Sequence, residues 1–185
     1  GIVILVLYLL FGGNPADIPQ ELQIGGSGSA TEGDQPLSHK EQEMGEFVSV
    51  VLADIEDTWS EIFRQLGGEY REPRLVLYSG QVESACGYAQ AAVGPFYCPA
   101  DENVYLDLAF FEDMQRELGA SGDFALAYVI AHEVGHHVQN LLGIMEQIET
   151  QRGRVSEREY NQLSVRLELQ ADFLAGVWAH YAQQT

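Results

Sequence analysis

The chain has 185 residues, which suits one compact domain with a short appendage, and its apolar share of 46% is sufficient to form a hydrophobic core. Acidic residues number 28 against 9 basic ones, so the formal net charge is −19. A negatively charged surface repels nucleic acids and anionic lipid headgroups. The composition therefore excludes nucleic-acid binding as the function.

The first residues of the chain predict the end of a membrane anchor. Residues 2–11 (IVILVLYLLF) are uninterrupted apolar sequence, and ten helical residues span about 15 Å, half of the roughly 30 Å needed to cross a bilayer. No Lys or Arg precedes Lys40, whereas four acidic residues do, and such a flank belongs on the outer side of a membrane. We therefore expect residues 1–11 to anchor a single-pass membrane protein whose folded domain is extracytoplasmic. A signal-peptide remnant and a buried core strand are the alternatives.

Residues 12–37 predict a flexible linker between this anchor and the folded domain. The segment contains GGSGSATEGDQP and shows neither a helical nor a strand period. The folded domain is expected over residues 38–185, beginning near Ser38.

The elements of this domain follow from apolar periodicity and turn residues. Between Phe47 and Leu66, apolar side chains recur at steps of three and four, which predicts a long amphipathic helix ending at Gly67-Gly68. A strand is expected at 75–78. A hairpin of 96–98 with 104–108, turning at 99–103, and a short helix at 110–118 are expected to follow.

Two further helices complete the predicted fold. One is capped by Ser121 or Asp123, runs to about residue 142 and is closed by Gly143. After a loop at 151–155, Ser156 and Glu159 form a capping box for a last helix that extends to the end of the chain. Helices dominate and only a small β-sheet or hairpin is expected, so the fold class is α+β.

Cys86 and Cys98 are separated by eleven residues in a stretch rich in Gly and Pro. A disulfide between them would staple a loop and contribute about 3 kcal/mol in the chain-entropy model. It would also agree with an oxidising compartment, whereas two buried free thiols are the alternative.

The strongest chemical signal is the sequence His132-Glu133-Val134-Gly135-His136. Two histidines four residues apart lie on one face of a helix, where both imidazoles can reach one Zn²⁺ ion. Glu133, beside the first of them, can take a proton from a water that the zinc acidifies. The motif therefore predicts His132 and His136 as metal ligands and Glu133 as the general base.

A catalytic zinc site needs a third protein ligand, and Glu168 is the best candidate. Asp172, one helical turn later, can accept a hydrogen bond from a ligand histidine and fix its tautomer. Apolar residues surround both carboxylates in the sequence, and a pair of charges in such a setting requires a cation.

These motifs resemble a known family. H-E-V-G-H-H-V-Q followed by E-L-Q-A-D-F-L-A-G-V-W-A, together with V-G-P-F-Y-C-P-A-D at 93–101, is similar to the bacterial neutral zinc metallopeptidases and, more broadly, to the glutamate-zincins. The resemblance implies a zincin-like fold, zinc at His132, His136 and Glu168, and Asp172 bracing a histidine, with His132 the expected one. It also implies a further segment beyond residue 185.

The sequence thus predicts a zinc-dependent endopeptidase that acts on peptides or proteins. A membrane-tethered binding module with a structural zinc, and a hydrolase of non-peptide amides, are the alternatives; the oligomeric state is left open. His137 is either a cleft residue that assists an oxyanion or a hydrogen-bonded histidine on the helix surface. Four other side chains are weaker candidates for a second electrophile, with no spacing to select among them: Tyr160, Arg166, His180 and Tyr181.

Overall fold

The computed structural model describes residues 39–90, 94–111, 114 and 123–183. Its helices are α1 (His39–Gln65), α2 (Asp123–Leu141), α3 (Ile144–Glu149) and α4 (Glu157–Ala182), and residues 108–111 are also helical. Its strands are β1 (Arg74–Tyr78), β2 (Gln81–Ser84), β3 (Gly87–Gln90), β4 (Phe96–Cys98) and β5 (Asn103–Asp107). The predicted α+β class, mostly helical with a small sheet, is confirmed.

Helix α1 forms where the apolar periodicity predicted it. Val48, Leu52, Ile55 and Trp59 recur at steps of three and four and are all buried in the main core. The helix packs against α2 and α4, and the indole Nε1 of Trp178 in α4 donates a 2.7 Å hydrogen bond to Asp54 of α1.

A three-stranded sheet in the order β1-β5-β4 contributes Tyr97, Val104 and Leu106 to the same core. Strand β1 runs parallel to β5, and β4 pairs antiparallel with β5, so the predicted hairpin of 96–98 with 104–108 is confirmed. Strand β4 packs against α2 and lies at the edge of this sheet.

The β2–β3 hairpin was not expected from the sequence. Its side chains are largely exposed, so it lacks the apolar alternation that marks a half-buried strand. A disulfide joins Cys86, in the turn of this hairpin, to Cys98 at the end of β4, with an S–S distance of 2.03 Å. The hairpin is thereby attached to the edge strand of the main sheet.

Helices α2 and α4 form the most extensive helix pair of the described chain. The capping box at Ser156 and Glu159 is confirmed at the start of α4, and α2 ends before Gly143, whose φ of 72° lies in the left-handed region. The short helix α3, which begins at Ile144, was not predicted.

The helices contradict the predicted single-pass membrane localisation, and that prediction is wrong. Across the ranges given above, no helix combines the length and apolarity needed to cross a bilayer. Helix α2 is the most apolar of the long helices, but it carries Glu133 and three histidines, as a core helix around a polar site does. The predicted anchor at 1–11, the linker at 12–37 and most of the predicted helix at 110–118 lie outside the described residues.

Candidate metal centre

Two packed helices place five polar side chains of the sequence prediction in one small region. His132, Glu133 and His136 lie on α2, and each is less than a tenth exposed. Glu168 and Asp172 lie one turn apart on the facing side of α4. The arrangement follows from the 3.6-residue repeat, which puts residues i and i+4 on the same face of each helix.

The ligand atoms of three of these residues converge. The Oε2 atom of Glu168 lies 3.4 Å from Nε2 of His132 and 3.6 Å from Nε2 of His136, and all three ligand atoms lie within 4.8 Å of one another. Tetrahedral zinc with bonds of about 2.0–2.1 Å separates its ligands by about 3.3–3.4 Å. The spacing of the Glu168 contacts therefore suits a zinc ion.

Two buried atoms at this point support the same interpretation. Oε1 of Glu133 has no hydrogen-bond partner among the described residues, and Nε2 of His132 forms no hydrogen bond either, although Oε2 of Glu168 lies 3.4 Å from it. Such atoms are costly unless a ligand meets them, because burial removes their hydration. The donor set, two imidazoles and one carboxylate, is one that zinc prefers. The residues present therefore fit the metal that the motif predicts.

The carboxylates at this site strengthen proton binding by His132, and a metal would compete with that proton. Burial lowers the pKa of His132, but the carboxylates of Asp172 and Glu168 outweigh it and raise this pKa to about 10. The two imidazoles, in turn, lower the pKa of Glu168 to about 2. Glu168 is thus a carboxylate at neutral pH, and a metal must displace protons from imidazole.

Glu133 differs from Glu168 because it is completely enclosed. Its side chain is 1% exposed, and this burial raises its pKa, against the opposing effect of His136 and His132. The backbone of Tyr97, on strand β4, also favours the charged form through a hydrogen bond. A carboxyl group with a raised pKa beside a metal site has the proton affinity expected of a general base.

Each of the two candidate ligand histidines has a partner on its other ring nitrogen. Nδ1 of His132 lies 2.8 Å from Oδ1 of Asp172, which is the pairing that the sequence suggested. Nδ1 of His136 lies 2.9 Å from Oε1 of Gln139, a residue that the sequence analysis missed. Its position three residues after His136, on the same helical face, is the signal that could have identified it.

The environment of His137 matches neither of the two interpretations drawn from the sequence. It is fully buried between Tyr70 and Tyr97, and Nε2 donates to the carbonyl of Arg71 at 2.6 Å. Nδ1 accepts from the Tyr97 hydroxyl at 3.0 Å, and that hydroxyl accepts from Asn140 at 2.9 Å. Burial lowers the pKa of His137, and both ring nitrogens are occupied. His137 therefore fixes β4 against α2 and has no free donor for an oxyanion.

The weaker candidates of the sequence analysis lie away from the converging ligands. The hydroxyl of Tyr160 donates to Glu149 at the α3 side of the molecule. Arg166 lines an exposed groove near the start of α4. His180 and Tyr181 contact each other about 18 Å along α4 from Glu168, so neither reaches the metal ligands.

A glycine sets the distance between the two helices that carry the candidate ligands. A Cβ atom on Gly135 would lie 2.9 Å from the carbonyl oxygen of Ala171, a separation that real side chains do not show. Ala171 stands between Glu168 and Asp172 on α4. Glycine in mid-helix costs about 1 kcal/mol relative to alanine, and the close approach of α4 explains its presence.

The fold and the site together define an α+β protein in which an H-E-x-x-H motif and a carboxylate from a second helix converge on a candidate metal site. The family described as "putative neutral zinc metallopeptidase" matches residues 1–185, and the chain belongs to this family. The resemblance of the motifs to the bacterial neutral zinc metallopeptidases is thereby confirmed.

Relatives of the chain come from distant bacteria. It is 47% identical over 184 residues to uncharacterized protein YpfJ of Escherichia coli (strain K12), and this match covers 100% of this chain and 64% of that protein. It is also 47% identical over 124 residues to uncharacterized protein Rv2575 of Mycobacterium tuberculosis (strain H37Rv), covering 65% of this chain and 40% of that protein. The chain thus spans less than two thirds of the length of these relatives. No solved structure matches it.

Proposed function

We propose that this protein is a zinc-dependent endopeptidase, with His132, His136 and Glu168 as the metal ligands and Glu133 as the general base. The observation that carries the proposal is the convergence of the three ligand atoms within 4.8 Å, next to a buried glutamate that is not one of them. Catalytic zinc sites have three protein ligands, whereas structural sites have four.

When bound, zinc supplies a Lewis acid that polarises a carbonyl group and lowers the pKa of water. The roles of the side chains follow from their surroundings. Glu133, enclosed and with a raised pKa, accepts a proton from the attacking water and delivers it to the leaving nitrogen. Glu168 and the two imidazoles hold the metal, and Asp172 orients His132.

Strand β4 is the proposed binding site for the substrate backbone. It pairs only with β5 among the described strands, it packs on α2, and the backbone of Tyr97 interacts with Glu133. An extended peptide that adds to the outer edge of β4 would place its main chain beside the general base. Main-chain pairing of this kind favours a peptide over a small amide.

The test is digestion of a peptide library, with product analysis by mass spectrometry, with and without a chelator. The zinc-loaded protein is expected to cut peptides, and the chelator is expected to abolish cleavage. Glu133→Gln is expected to retain zinc and to lose at least about 10²-fold in turnover. Undiminished cleavage by this variant would contradict the role of Glu133. A zinc-loaded protein without any cleavage would favour a structural metal.

A further inference from the structure

Gln139 is a fully buried amide that connects the two ligand-bearing helices. It lies on α2, three residues after His136, and its side chain is 0% exposed. Its oxygen Oε1 lies 2.9 Å from Nδ1 of His136. Its nitrogen Nε2 donates to the carbonyl oxygen of Leu167 at 2.7 Å and to Oε1 of Gln170 at 3.1 Å. One amide nitrogen therefore binds both α4 partners.

These partners determine the orientation of the amide and the tautomer of His136. The carbonyl of Leu167 can only accept a hydrogen bond, so the nitrogen of Gln139 must face α4 and its oxygen must face His136. An amide oxygen can only accept, and hence Nδ1 of His136 carries a proton. In the neutral imidazole, Nε2 then retains its lone pair on the side where Glu168 lies 3.6 Å away.

We infer that Gln139 is a positioning residue of the metal centre, which holds His136 in the Nδ1–H tautomer and ties it to the peptide unit that precedes Glu168. The inference rests on the proposed metal centre. Leu167 is bonded directly to Glu168 in the chain, so one amide fixes a ligand histidine relative to the backbone of the ligand carboxylate. Partners of this kind commonly change metal affinity about 10–100-fold when they are removed.

The hydrogen bonds that orient His136 and His132, which we call the two braces, cross between the helices in opposite directions. Asp172 reaches from α4 to a histidine of α2, whereas Gln139 reaches from α2 to the backbone of α4. One brace is charged and the other is neutral. A neutral brace orients His136 without adding another negative charge to a site that already contains three carboxyl groups.

The first experiment measures zinc affinity by competition with a chromophoric chelator. Gln139→Met keeps the length and helix propensity of the side chain but removes all three hydrogen bonds, and we expect zinc to bind about 10–100-fold more weakly. Asn140→Leu is the matched control, because it breaks a partly buried amide contact to Tyr97 in the adjacent position without touching a ligand. The control is expected to retain the wild-type affinity.

His136→Ala distinguishes a failure of the role proposed for Gln139 from a failure of the proposed metal centre. If His136→Ala loses zinc while Gln139→Met retains the wild-type affinity, the role of Gln139 is refuted and the metal centre stands. If His136→Ala also retains zinc at this affinity, the metal centre itself is refuted.

A second measurement requires only the wild-type protein. Nitrogen-15 NMR of the zinc-loaded chain is expected to show a protonated Nδ1 on His136, with a proton that exchanges slowly with water because the site is buried. A protonated Nε2 on this residue would overturn the inference, whether or not Gln139→Met folds.

Discussion

Replacing Gly135 by alanine tests how closely the two ligand-bearing helices must approach. The added Cβ would lie 2.9 Å from the Ala171 carbonyl oxygen, and an ordinary contact of 3.4 Å or more requires α4 to withdraw by about 0.5 Å. Alanine gains about 1 kcal/mol of helix propensity, and overpacking costs about 1–3 kcal/mol. The free energy of unfolding should therefore fall by about 0–2 kcal/mol. Displacing Glu168 by this distance should weaken zinc binding about tenfold or more.

Gly176→Ala provides the matched control on the same helix pair. Gly176 lies on α4, and a methyl group added there would meet no atom within 4 Å, so alanine should add about 0.5–1 kcal/mol of stability. Urea unfolding and zinc competition would be measured for both variants. The reasoning is refuted if Gly135→Ala matches the control in stability and keeps the wild-type zinc affinity.

Three further predictions address the surroundings of the site. Tyr97→Phe leaves Nδ1 of His137 buried without a hydrogen-bond donor, so the free energy of unfolding in urea should fall by about 1–3 kcal/mol while the zinc affinity stays unchanged. A fall of less than about 0.5 kcal/mol would contradict this hydrogen-bond network. Because the pKa of His132 is raised to about 10 and that of Glu168 is lowered to about 2, zinc binding at pH 7 should release about one proton or more, and affinity should fall with falling pH. Calorimetry in buffers of different ionisation enthalpy measures this release, and its absence at pH 7 would contradict the pKa assignment. Chelation of the metal should leave helix content and cooperative unfolding intact by circular dichroism, whereas unfolding on chelation would indicate a structural zinc.

The chelation prediction follows from how α2 and α4 are held together. Gly135 packs on Ala171, the Tyr128 hydroxyl donates to the carbonyl of Asp172 at 3.0 Å, and Gln139 donates to the carbonyl of Leu167. None of these contacts uses a ligand atom. The main core, which includes Trp178 of α4, adds buried apolar surface to the same interface.

The sequence predicted those features that depend on local spacing. The helix over His132 and His136 and the capping box at Ser156 both follow from short-range rules, and the structure contains them. The β2–β3 hairpin was missed because its exposed strands carry little apolar alternation. Local rules also cannot give those partners of a buried polar side chain that come from distant parts of the chain.

The roles of His137 and Gln139 illustrate that limit. Both lie on α2 within a turn of His136, and spacing alone made His137 the more prominent candidate. Its partners, Tyr97 and the carbonyl of Arg71, are 40 and 66 residues away, so only the fold shows that its nitrogens are occupied. Gln139 is three residues from His136, but its α4 partners, the carbonyl of Leu167 and the side chain of Gln170, are 28 and 31 residues away, so only the fold shows that it connects the two helices.

Residues in the segment from His132 to Gln139 contact both α4 and β4, and this explains the dense mixture of polar and apolar residues in the segment. His132 and His136 face the carboxylates of α4, while Gly135 admits the α4 backbone. His137 points to β4, and Gln139 returns to α4. A helix on the surface of a protein has one buried face, but α2 is enclosed from several sides, so each face can be given a separate partner. Apart from the atoms at the candidate metal site, every buried polar side chain on this helix has such a partner. The free energy gained from these hydrogen bonds therefore offsets the cost of burying the polar side chains.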